Sequence, residues 1–239
     1  MVAGEEDLTR RLGALMTSGE VPADGRLPPE RQLAERFGVS RARLRQALER
    51  LEDEGTIYRR QGRGTFAAPP VANGSSVLNR IAREVTPQDI MEVRLEIEPA
   101  LAAHAAARAR SDDLARLRQL MLATIDQDER IAYETADDIF HYNIAVLARN
   151  PLFLEVYDAI RTVRKLAAWG EIRRESHTPE TMARFGEQHR ALFAAISDRD
   201  GPKAARLMEE HLVDVNRAVL RGAKQGNTGL PPADPSSPD

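Results

Sequence analysis

Apolar residues return at helical spacing along most of this chain and at strand spacing in one short stretch only. Leu8, Leu12 and Leu15 share one face of a helix expected over residues 5–18. Leu33, Ala34 and Phe37 mark a second, short helix that stops at Gly38, a residue able to take the left-handed backbone of a helix end. Leu44, Ala47, Leu48 and Leu51 mark a third, opened by Ser40, whose hydroxyl can accept a backbone N–H, and closed by Glu54-Gly55. Residues 56–60 and 65–68 can then pair around Gln61-Gly62-Arg63-Gly64, which makes a hairpin.

After that hairpin the strand signal stops. Residues 69–76 (PPVANGSS) read as a linker. Helical periods then cover 87–110, 111–127, 129–148, 151–170, 179–197 and 201–221. Their starts are marked by Thr86-Pro87, Ser111-Asp112-Asp113, Asn150-Pro151 and Thr178-Pro179. Pro99 is expected to bend or divide the first of them. The final stretch, 223–239, holds too little apolar side chain to fold and reads as a disordered tail. The expected fold is mainly α. A winged helix-turn-helix over 1–68 precedes an all-helical bundle over 77–222.

On the third helix Arg41, Arg43, Arg45 and Gln46 lie outside the apolar stripe, close to the helix start. Those positions of a recognition helix reach base edges in the major groove, where an arginine can bridge the two acceptors of a guanine. Arginines on an amphipathic helix are ordinarily just a solvated face. The order of LPPER, GVSR, RQAL and RGRGTF argues otherwise, because each stands where a winged helix needs it. Residues 5–68 resemble the DNA-binding domain of the GntR family of bacterial transcription regulators. The resemblance implies DNA contacts by Arg31, Arg41 and Arg45, with Ser40, Arg43, Gln46 and the wing-tip Arg63 beside them, and a wing shaped by Gly62 and Gly64. Many relatives carry Thr-Pro or Thr-Thr where this chain has Ala42-Arg43, which removes a hydroxyl, adds a cation and leaves the operator sequence open.

Charge modifies the picture only locally. The net charge is -3, with residues 1–68 carrying 12 Arg against 11 acids and the rest 22 Lys and Arg against 26 acids. Any DNA affinity therefore rests on the clusters Arg41/Arg43/Arg45 and Arg59/Arg60/Arg63 rather than on bulk charge. The absence of cysteine excludes disulfides and thiolate metal sites. The N-terminus has no signal-type apolar region, and no apolar run reaches the roughly 18 residues of a membrane span. A cytoplasmic protein without membrane contact is expected.

The candidate chemistry of the second half lies in its histidines. Of five, three occupy positions where Leu or Ile would be ordinary. His141 follows Asp137 by one turn on the stripe of Ile144 and Ala148, His189 lies among Met182, Phe185 and Leu192, and His211 among Leu207, Met208 and Val215. A single histidine on an apolar face is usually a hydrogen-bonded core residue. Three on separate inward stripes, with a carboxylate one turn from the first, would be costly to bury together without a divalent cation. Nitrogen and oxygen donors suit Zn, Ni, Co or Mn, with zinc placed first. His104 and His177 are left outside the set.

Residues 77–221 also resemble the FCD ligand-binding domain of the FadR subfamily of GntR regulators. The resemblance runs through VRLEIEP (Arg94, Glu98, Pro99), the D-x-x-F-H of Asp137, Phe140 and His141, Asn150-Pro151 and the two later histidines. It implies a helical, dimeric domain with a metal on Asp137, His141, His189 and His211, and a small carboxylate effector beside it. Arg94 is the candidate for holding that acid. It could equally serve as an i, i+4 partner of Glu98. The function expected is a homodimeric repressor binding double-stranded operator DNA under effector control. The alternative is a metal-dependent hydrolase carrying a nucleic-acid-binding module. Hydrolysis needs a general base near the metal-bound water, and the chain has no H-E-x-x-H, with Glu187 and Glu210 off the histidine stripes.

Overall fold

Leu8, Leu12, Leu15, Leu33, Leu44, Leu48 and Leu51 converge in one core, as their spacing requires. The computed structural model describes residues 3–17, 20–21, 26–53, 56–60, 64–67, 76–125, 127, 129–167 and 176–226. In the first part, α1 (Ala3–Thr17) packs on α3 (Arg41–Asp53), and α2 (Glu30–Phe37) meets α3 through a sharp corner. Gly38 makes that corner at φ 65° and ψ 35°, its N–H returning to the carbonyls of Ala34 and Glu35. Ser40 then caps α3, its Oγ accepting the N–H of Arg43 at 3.3 Å. Strands β1 (Tyr58–Arg60) and β2 (Gly64–Phe66) pair antiparallel with Tyr58 opposite Phe66, and Arg26 bridges to Phe66 from the other side. Gln61, Gly62 and Arg63 lie outside the described residues, as does most of the expected linker.

Among the described residues these helices follow: α4 (Ser76–Glu84), α5 (Pro87–Arg108), α6 (Ser111–Ala123), α7 (Arg130–Leu147), α8 (Pro151–Leu166), α9 (Pro179–Ser197) and α10 (Gly201–Gly226). Side chains close their starts. Thr86 and Asp89 form a reciprocal capping box on α5, Asn150 accepts the N–H groups of Leu152 and Phe153, and Thr178 accepts that of Thr181. The most extensive packing is α5 against α10. Met91, Ala102, Ala105, Phe140, Ile144, Leu192, Met208 and Leu212 sit in the shared core.

Three features depart from the pattern-based reading. Pro99 does not divide α5, which runs through it; burial of Leu101, Ala102, Ala105 and Ala106 beyond it holds the helix together despite the lost backbone bond. Ser76 starts a helix, α4, whose Leu78, Ile81 and Ala82 pack with Ile160 and Val163 on α8. α10 continues to Gly226, past the point where apolar spacing ends, because residues such as Ala223, Lys224 and Gln225 are good helix formers without needing a core. Residues 227–239, the rest of the expected tail, lie outside the described part.

Among the described residues, Tyr58 ties the first part to the bundle. Tyr58 on β1 is buried among Leu101, Tyr142, Ala145, Ala148 and Tyr157. Its ring meets Tyr142 edge-on at 5.3 Å between centroids, its hydroxyl accepts from Asn143 Nδ2 at 3.4 Å, and Arg116 lies over its face.

Candidate metal centre and nucleic-acid interface

The i, i+4 step on α7 turns Asp137 and His141 to the same side, and α9 and α10 bring His189 and His211 to meet them. His141 and His189 face each other Nε2 to Nε2 at 3.3 Å, and His189 and His211 at 3.4 Å. Asp137 Oδ1 lies 3.6 Å from His141 Nε2 and 3.4 Å from His189 Nε2. All three imidazoles are buried, and the carboxylate is nearly so.

The other ring nitrogen fixes each tautomer. His141 Nδ1 donates to Glu98 Oε2 at 2.7 Å. His189 Nδ1 donates to Thr124 Oγ1 at 2.9 Å, since that hydroxyl spends its own proton on the carbonyl of Met121. His211 Nδ1 donates to Gln188 Oε1 at 3.0 Å, since the amide nitrogen of Gln188 is turned to Asp214. Each Nε2 is thereby left as a bare lone pair aimed at the same point as a carboxylate oxygen. Burial pushes His189 down to about 3 and His211 well below the usual histidine range. Burial works against the charge of Asp137, but the neighbouring His141, His189, Arg164 and Arg94 outweigh it and hold its carboxyl below the usual range.

Lone pairs in this arrangement repel unless a cation lies between them. With metal–ligand bonds of about 2.1 Å, neighbouring donors stand roughly 3.0–3.4 Å apart for angles from square to tetrahedral. The four separations above are close to that span and all four donor atoms lie within 4.8 Å of one another, so the residues expected from sequence could hold a divalent metal. Glu98, Thr124 and Gln188 were not singled out as part of the site from sequence. Gln188 immediately precedes a ligand and Glu98 stands in the VRLEIEP motif, whereas Thr124 carries no sequence signal.

A cavity of about 290 Å³ opens beside the centre, lined by Asp137 and His211 on one side. Arg94 lines it too and is also the partner of Glu98, with Nε to Oε1 at 2.5 Å, so both roles open to it from sequence are compatible. Burial raises the Glu98 carboxyl, but Arg94 and His141 outweigh this and bring it down to about 2. At another wall stand Arg164 and Lys165, which with the fully buried Arg161 converge on Asp138. His177, left out on sequence grounds, also lines the cavity; His104 packs on Phe153 instead. Glu187 and Glu210 are exposed on the outer faces of α9 and α10.

On α3 the side chains of Arg41, Arg43, Arg45 and Gln46 are all exposed while Leu44, Ala47 and Leu48 are buried. Two of the expected DNA contacts have acidic partners: Arg45 Nε reaches Glu30 Oε2 at 2.9 Å, and Arg31 Nη1 reaches Glu35 Oε1 at 3.1 Å. Both pairs are solvent-exposed and hence weak enough to exchange for phosphates or bases. Gly64, at φ 113°, lies where an added Cβ would meet Arg26 Nε at 3.2 Å, so the wing base needs glycine.

Comparison with known proteins matches residues 5–67 to the bacterial regulatory proteins of the gntR family and residues 89–214 to the FCD domain. The putative L-lactate dehydrogenase operon regulatory protein of Escherichia coli K12 is 31% identical, over 90% of this chain and 86% of its own. The galactonate operon transcriptional repressor of the same organism is 30% identical, over 81% and 86% respectively. Among solved structures, Streptococcus agalactiae GntR aligns over 90% of this chain and 99% of its own, with TM-score 0.46 and 24% identity.

Proposed function

We propose, for a chain that belongs to the gntR family of bacterial regulatory proteins and carries an FCD domain, that a small carboxylate held beside a divalent metal controls its hold on operator DNA. The chain is a transcription regulator and not an enzyme, and the hydrolase alternative finds no support. The observation that carries the proposal is the convergence of three Nε2 atoms and Asp137 beside a cavity lined by Asp137, His211 and Arg94. A bound metal, with zinc placed first, supplies fixed positive charge that can accept an anionic oxygen. The residues around it do the rest: Glu98, Thr124 and Gln188 hold the rings in register, and Arg94 contributes a guanidinium to a carboxylate.

On the DNA side, Arg41, Arg43, Arg45 and Gln46 read the major groove, Arg31 and Ser40 lie at its edge, and the wing with Gly62, Arg63 and Gly64 meets the backbone or minor groove. The regulator is proposed to act as a homodimeric repressor in the cytoplasm. The names of two relatives, a putative L-lactate dehydrogenase operon regulatory protein and a galactonate operon transcriptional repressor, support both repression and an organic-acid signal. Leu152 and Val156, exposed on the same face of α8, support a subunit contact.

The test is a mobility shift on the chain's own promoter fragment with wild-type, metal-stripped and His189→Ala protein. Effector-dependent release in the wild type and none in the other two supports the proposal. Equal release in all three would remove the metal from the effector site.

A further inference from the structure

Arg26 belongs to the hairpin although it stands far from it in sequence. It bridges to Phe66, and the N–H of the next residue, Leu27, donates to the carbonyl of Thr65 at 2.8 Å. Leu27 is buried and Arg26 is exposed, as alternation along an extended segment requires. The Arg26 side chain runs along the hairpin to Gly64. There an added Cβ would stand 3.2 Å from Nε, 3.6 Å from Nη2 and 3.8 Å from Cζ, so the guanidinium lies against bare glycine backbone.

This seat has a direction. The ladder runs from the Tyr58–Phe66 pair, where Tyr58 is buried against the bundle, to the Arg60–Gly64 pair next to the turn. The guanidinium therefore stands at the end of the hairpin away from the bundle. Arg31, in the first turn of α2, follows closely on Arg26 in the chain and is exposed too. An arginine resting on backbone has given up part of its rotamer freedom before a ligand arrives, and its planar fork matches the oxygens of a phosphate.

We infer that Arg26 is a further DNA contact, a phosphate clamp beside the wing for which Gly64 is the seat. This rests on the reading of the head given above, and adds a residue that the motifs of the chain did not single out. The edge of a hairpin carries it, not the helix that enters the major groove, and contacts of that kind position a protein on the duplex without reading its sequence.

The experiment measures the affinity of the full chain for a duplex of its own promoter, and for a random-sequence duplex, across a salt series by fluorescence anisotropy. Arg26→Gln is expected to bind both duplexes about eightfold more weakly at roughly 0.1 M salt, with a log–log salt slope smaller by about one per bound subunit, the share of a single phosphate contact. Arg26→Lys keeps the charge and holds the wild-type slope. Both variants unfold at the wild-type midpoint, since the side chain is exposed. Arg26→Gln with wild-type affinity and slope overturns the inference, as does a loss confined to the promoter duplex, which is the mark of a base contact. Arg41→Ala in the same series separates two failures. If it weakens promoter binding and Arg26→Gln does not, this inference alone falls; if neither does, the assignment of DNA contacts to this face of the head falls with it.

Discussion

Thr124 shows what a single hydroxyl can decide. By giving its proton to Met121 O it can only accept from His189 Nδ1, and that alone orients a lone pair at the metal position. Thr124→Val keeps the shape and removes the acceptor, so zinc affinity should fall by about ten- to hundredfold, the usual range for groups that orient ligands; competition against a chromogenic chelator measures it. Arg161, the bulkiest of the fully buried side chains, carries a different burden. It bonds Asp138 through two nitrogens and stacks on Tyr142 at 4.7 Å. Arg161→Met strands buried carboxylates, and the expected loss is near the low end of roughly 3–5 kcal/mol because Arg164 and Lys165 stay on Asp138; urea unfolding reads it. At this scale the sequence pointed to the four residues that converge and was silent about the groups that orient them. A histidine replacing a leucine in an apolar stripe is a visible anomaly, whereas Thr124 sits at a helix end where threonine is ordinary.

Helices were legible where periodicity and caps agreed. Thr86-Pro87 with Asp89, Asn150-Pro151 and Thr178-Pro179 mark the starts of α5, α8 and α9 to the residue, because each cap is a local bond between neighbours. α4 escaped notice because a nine-residue stretch beside a Pro/Gly/Ser-rich run looks like linker until α8 covers its apolar face. Pro99 was expected to bend or divide α5, and division does not occur: the local penalty is real, but long-range packing against α10 exceeds it. Gly38 is the corner on which α3 is aimed, and Gly38→Ala should cost about 1–2 kcal/mol for its left-handed backbone, visible as a lower unfolding midpoint. Arg41→Ala and Arg45→Ala should each weaken operator binding by about 1–3 kcal/mol and relax base preference. A binding-site selection with the two variants checks this, and for Arg45 the loss is net of its bond to Glu30.

At the scale of the molecule, the head–bundle contact was not readable at all, since Tyr58 alternates along β1 like any strand residue and its partners lie some eighty residues away. Those partners are telling: Tyr142 and Asn143 directly follow His141, a proposed metal ligand, on α7. Tyr58→Ala should leave zinc content and helix content unchanged while abolishing any zinc-dependent change in amide protection of residues 26–53; hydrogen exchange on loaded and stripped protein decides it. Residues 1–68 and 77–222, expected as separate units, thus meet at the Tyr58 ring among the described residues.

Because α7 carries two of the proposed metal ligands and also packs on Tyr58, any coupling between metal and operator DNA must act on both by the same factor. Operator DNA that draws Tyr58 out of its pocket would loosen or tighten zinc retention, and the chain would then lose its metal to a chelator at one rate when free and another when seated on a promoter. The metal inventory of such a cell would carry a record of which promoters were occupied.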